Sequence, residues 1–128
     1  MNVRDALAAA ESLLPGTAAT ESKSDPRWQA IIAVGEFIEA EPEAVWPFIL
    51  RWGASSDGDL RNAVSTCLLE HLLEFHFDSF IARIEHGART DAFFADTVCR
   101  CWKFGQSEDA DRGARFDRLV ASIRRRTD

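Results

Sequence analysis

Apolar residues recur along this chain at helical spacing. Val3, Leu7, Ala10 and Leu14 stripe a first helix that stops at Pro15-Gly16, and "PGTAATESKS" then reads as a connection. Ser24 or Asp25 is placed to accept the free amides of a second helix over about 26 to 40, with Pro26 in its first turn, where a missing amide is harmless. Pro42 and the apolar residues from Val45 to Trp52 predict a third helix closed by Gly53. Pro47 sits harmlessly in that helix if it begins at Glu43 or later and kinks it if it begins earlier. Ser56-Asp57 then caps a helix over about 58 to 75, followed by a shorter one over about 78 to 87 that ends at Gly87. Strand signals are nearly absent, with no sustained alternation and no tyrosine.

The plan repeats. A shift of 32 residues lays Trp28 on Leu60, Ile32 on Val64, Phe48 on Phe80, Ile49 on Ile81, and the cap Ser24-Asp25 on Ser56-Asp57. A further shift of 34 lays Leu60, Val64, Cys67 and Leu68 on Phe94, Val98, Cys101 and Trp102. The second helix of this third unit lies five residues further along, at Phe116, Leu119, Val120 and Ile123, with the extra length in the polar loop "GQSEDADRG". Paired helices that recur at this period and cannot bury their apolar faces alone predict an all-α chain. They stack as a short α-solenoid of about three helical hairpins preceded by an N-terminal helix, one domain over 1–128 with repeats at about 24–54, 56–87 and 89–125.

On these capped pairs the sequence resembles the HEAT-like or armadillo-type α-α superhelix group. The resemblance implies a protein-binding module; one branch of the group, the alkylpurine DNA glycosylases of HEAT-like fold, implies nucleic-acid binding as the alternative.

A chain of 128 residues, 46% hydrophobic and 28% charged, is long enough for one ordinary core. Asp5 and Glu11 interrupt what would have to be the apolar part of an export signal, and no apolar run reaches membrane length, so a soluble cytoplasmic protein is expected. The net charge of −6 is uneven: residues 1–102 carry −8 and residues 103–128 carry +2. An acidic body suits a basic protein partner better than nucleic acid, and would also suit an immunity- or antitoxin-like inhibitor.

Candidate chemistry is sparse. In "HLLEFHFDSF", over 71–80, a straight helical wheel places His71 in mid-stripe with Cys67, and Glu74 at its edge. The expected role is packing, with the histidine buried and hydrogen-bonded to Glu74 or a neighbouring helix. His76 belongs to the turn, Phe75, Phe77 and Phe80 form a corner, and Asp78 or Ser79 caps the next helix. Cys99 and Cys101 point about 200° apart on a helix, unsuited to sharing a metal. No nucleotide-binding, hydrolase or zinc-protease motif is present, and no catalytic residue, metal or cofactor is expected.

Surface readings remain. Trp46 and Leu50 fall outside the stripe of their apolar helix, which is either central in the stack or keeps a face for a partner. Glu36, Glu39, Glu41 and Glu43 form an acidic cluster that could steer a basic ligand. Arg112, Arg115 and Arg118, followed by Arg124 to Arg126, are the candidate phosphate contacts of the alternative.

Overall fold

The computed structural model describes residues 1–14 and 25–127, and among these there are helices and no strands. The predicted stop at Pro15-Gly16, the connection after it and the Ser24 cap lie outside the described residues. Seven α-helices succeed one another: α1 Val3–Leu13, α2 Pro26–Gly35, α3 Pro42–Gly53, α4 Gly58–Val64, α5 Glu70–Thr90, α6 Ala92–Cys99 and α7 Ala110–Thr127. A π turn, Ser65–Leu69, joins α4 to α5, and a 3-10 turn, Gly105–Glu108, precedes α7. No described helix is long and apolar enough to cross a membrane.

The caps follow local chemistry. Side chains of Asn2, Asp25, Asp57 and Asp91 accept the amides of Asp5, Arg27, Asp59 and Phe94 at 2.8–2.9 Å, satisfying donors that the first helical turn leaves free. The second helix is shorter than expected. After Gly35 the amides of Glu36, Phe37 and Ile38 bond three residues back, tightening the chain into turns through residue 40. Because α3 begins at Pro42, the missing amide of Pro47 falls in its interior rather than its first turn.

Alternate helices touch one another as well as their neighbours in the chain. α2 lies against α4 and the π turn, and α4 against α6; α1 touches α3, α3 touches α5, and α5 touches α7. The α2 contact is close: a Cβ on Gly35 would meet the Cys67 carbonyl oxygen at 2.8 Å. α3 also reaches α6, where the Thr97 hydroxyl donates to the Gly53 carbonyl, so the first and third predicted units touch directly.

Phe94 fills that junction. Its ring lies against both Gly53 and Gly87, where an added Cβ would come within 3.1 and 2.8 Å. Neither glycine has positive φ, and α5 continues three residues past Gly87 to Thr90. Gly53 closes α3 as expected and Gly87 does not end α5, and both leave clearance for an aromatic ring. Among the described residues the left-handed glycine is Gly105, φ 53°, packed against Glu74.

The π turn corrects the straight wheel. It adds about one residue per turn, so everything after it falls back by roughly 100°. Leu68, Leu69, Leu72 and Leu73 therefore face the core, and His71 moves to the edge with its side chain 41% exposed.

The corner also differs from expectation. Helical geometry breaks at one residue, His76 (φ −139°, ψ 41°), and α5 resumes without a cap from Asp78 or Ser79. The Gln106 amide spans the break, its Nε2 donating to the Phe75 carbonyl and its Oε1 accepting from the Phe77 amide, both at 2.9 Å. His76 ties the corner to the end of the preceding turns through Nε2 and the Glu39 carbonyl at 2.8 Å.

Glu70, buried at 6% exposure, accepts the Trp102 amide at 3.0 Å. Burial pushes its carboxyl above the ordinary range, against the pull of that hydrogen bond. A carboxyl raised in the folded state costs stability once the pH exceeds its folded value, and the cost vanishes below its unfolded value. Glu70→Gln keeps an acceptor without the charge. The variant should melt higher than the parent at neutral pH, with the difference narrowing as the pH falls; a gap independent of pH in paired thermal melts would contradict this.

Candidate docking groove

A groove of about 520 Å³ runs between α3 and residues 77–90 of α5. Trp46 and Leu50, one helical turn apart, form one wall; Ala82, His86, Gly87 and Thr90 form the other. Small residues at 82 and 87 leave the opening. The Trp46 ring is half-buried, with centroids 5.7 Å from Phe80 and 6.2 Å edge-on from Phe94, while its remaining surface borders the groove. Leu50 is exposed.

The polar rim is preset. Arg83 lies over the Phe80 ring at 4.6 Å and donates from both terminal nitrogens to the two Glu43 oxygens at 2.8 Å. This fork lowers the Glu43 carboxyl and raises the guanidinium. The Thr90 hydroxyl turns back onto the carbonyls of His86 and Gly87, so this lining residue's polar group is satisfied within its own helix. The result is an apolar slot with one fixed ion pair at its border, suited to an apolar side chain of a partner.

The structure gathers only part of the expected interface. Trp46, Leu50 and Glu43 meet here, Glu43 through Arg83. Glu36 and Glu39 are exposed elsewhere; Glu36 borders a second groove of about 460 Å³ with Ile32, Gly35, Cys67, His71 and Phe75. Among the candidate phosphate contacts, Arg112 makes a two-point pair with Asp78 at 2.9 and 3.0 Å, and Arg115 another with Glu85 at 2.8 and 3.2 Å. Those forks are occupied by carboxylates. Arg118 is exposed and makes no ion pair among the described residues.

In the second groove, His71 Nδ1 lies 2.8 Å from Glu74 Oε1 and its ring stacks on Phe104 with centroids 6.2 Å apart. The hydrogen bond agrees with the sequence expectation and the burial does not. Cys67 makes no hydrogen bond to His71, and burial pushes its thiol up, away from a reactive thiolate. Among the described residues no group of three His, Cys, Asp or Glu side chains is placed to hold a metal ion.

Trp102, like His71, lies where the sequence pattern does not put it. Alignment with Leu68 makes it core, yet it is 73% exposed, because α6 ends at Cys99 and the register of the match ends with it. The same early end removes the helical geometry between Cys99 and Cys101, and both border one groove beside α7. Cys101 packs against the Ser65 hydroxyl at 3.2 Å, and burial raises its thiol to about 12.

A family model described as a family of unknown function matches residues 17–122. No curated protein and no solved structure matches the chain.

Proposed function

The chain belongs to that family, DUF6869, and from its geometry we propose that it is a cytoplasmic helical-repeat binding module whose α3–α5 groove receives an apolar anchor from a protein partner. The observation that carries this reading is a half-exposed tryptophan seated on two buried phenylalanines beside a slot opened by Ala82 and Gly87. Tryptophan held in this way dominates many protein interfaces.

In this reading the pairs α2 and α3, α4 and α5, and α6 and α7 are HEAT-like hairpins. Two ladders of charge support it. On one row Arg27 reaches forward to Asp57 and Asp59, and Arg61 to Asp96. On the other Arg51 reaches back to Glu11, Arg83 to Glu43, Arg112 to Asp78 and Arg115 to Glu85. Each rung joins a helix to its counterpart about one repeat away. The exposed Glu36, Glu39 and Glu41, on the segment that precedes α3, favour a basic partner through steering. Nucleic acid is disfavoured, since Arg112 and Arg115 already face carboxylates.

A photo-crosslinking residue at position 50, introduced in the native host, tests the reading. Adducts to one protein are expected, and Trp46→Ala should weaken that complex by about 2 kcal/mol or more, roughly thirtyfold. Crosslinking unchanged by Trp46→Ala, or adducts to nucleic acid, would overturn it.

A further inference from the structure

A groove of about 570 Å³ between the 99–103 segment and α7 shares no lining residue with the α3–α5 groove. Its floor is apolar: Phe116, Val120 and Ala121 recur along α7, opposite the cysteines at 99 and 101. Trp102 stands at its edge, 73% exposed.

That exposure is built rather than loose. The Trp102 amide is held by buried Glu70 at 3.0 Å, the preceding Cys101 by Ser65, and Phe104 by the Ser107 hydroxyl at 2.9 Å. Lys103 donates to both oxygens of Asp117 at 2.9 Å. With its flanking backbone and neighbours tied down, the indole is presented at little further ordering cost to a ligand.

The rim is cationic. Lys103 neutralises Asp117, whereas Arg124 and Arg125 make no ion pair among the described residues. Their neighbour Arg126 serves the fold, donating to the Ala88 carbonyl of α5 at 3.3 Å. A local excess of positive charge on a chain of net −6 therefore borders an apolar floor. A nucleic-acid strand needs a row of unpaired cations to follow its phosphates, and of the arginines further up α7 only Arg118 is without an ion pair among the described residues, Arg112 and Arg115 being consumed by Asp78 and Glu85. A short ligand with one or two carboxylates beside an apolar group matches better.

We propose that this groove binds an acidic peptide segment of another protein, an apolar side chain resting between Trp102 and Val120 and the carboxylates pairing with Arg124 and Arg125. The full chain, immobilised and panned against a random dodecapeptide library, tests this. Enriched peptides should carry Asp or Glu beside Leu, Phe or Trp. Their affinity should fall about tenfold or more in Trp102→Ala and in the double variant Arg124→Glu, Arg125→Glu, and stay unchanged in Trp46→Ala. Trp102, Arg124 and Arg125 are exposed, so thermal melts of their variants should track the parent. Failure to enrich any peptide, enrichment without acidic residues, or affinity indifferent to both sets of substitutions overturns the proposal. So does a labelled oligothymidylate that binds more tightly than the peptides and loses affinity with the same arginines.

Discussion

Phe94→Ala is expected to lower unfolding stability by about 3–5 kcal/mol, the range for deleting a fully buried aromatic ring. Phe94 has no exposed surface, and its ring occupies space that Gly53 and Gly87 leave open on two other helices. The two glycines themselves offer no side chain to fill the void. Trp46 packs perpendicular to the same ring, so the substitution should also loosen the wall of the α3–α5 groove. Urea denaturation should show a lower midpoint with an unchanged slope, and the emission of the folded variant should report a wetter tryptophan. Phe94→Leu should lose less, because it refills part of the volume. A loss under about 1 kcal/mol for the alanine variant would mean that the junction is not packed around this ring.

Arg27→Ala should destabilise by about 2–3 kcal/mol. The Arg27 side chain is 4% exposed and reaches Asp25, Asp57 and Asp59 at 3.3, 3.2 and 2.9 Å. Two of these aspartates cap α2 and α4. Its removal leaves carboxylates facing one another across two helix starts, with loss of the buried guanidinium. The full penalty for orphaning a buried charge, about 3–5 kcal/mol, is reduced because Asp57 and Asp59 are nearly half exposed and water screens them.

The pH dependence identifies the cause. Burial acts to raise the Asp57 carboxyl, but its bonds to the Asp59 and Leu60 amides and to Arg27 outweigh that and hold it below its ordinary range. A carboxyl depressed by folding contributes stability above its unfolded value, and that contribution disappears as the pH falls through the folded value. The difference between Arg27→Ala and the parent should therefore be largest at neutral pH and shrink in acid. Arg27→Lys, which keeps the charge without the fork, should lie between them. A constant difference across pH would assign the loss to packing alone.

Caps at Ser24 or Asp25 and at Ser56-Asp57 could be read directly from the sequence, Asp25 and Asp57 being side chains that accept, as could Pro26 at a helix start and the core stripes of Ile31, Leu60, Phe80 and Phe116. Capping and amphipathic spacing act within one or two turns, so neighbouring residues determine them. The helical spacing and the absence of strand signals also made the all-helical class legible. Of the docking groove, the sequence identified Trp46 and Leu50 as lying off the core stripe, but not the wall facing them.

Tertiary contacts decided the rest. Gln106 bridges the corner at His76 from about 30 residues away, and a π turn rotates His71 out of the core. Packing around Phe94 explains glycines that resemble helix caps in the sequence. Arg83, Arg112 and Arg115 find acidic partners 30–40 residues distant, which turns apparent free charge into rungs between helices. Whether a side chain is a partner, a wall or a surface depends on which helix lies opposite, and periodicity within one helix carries no record of its neighbour.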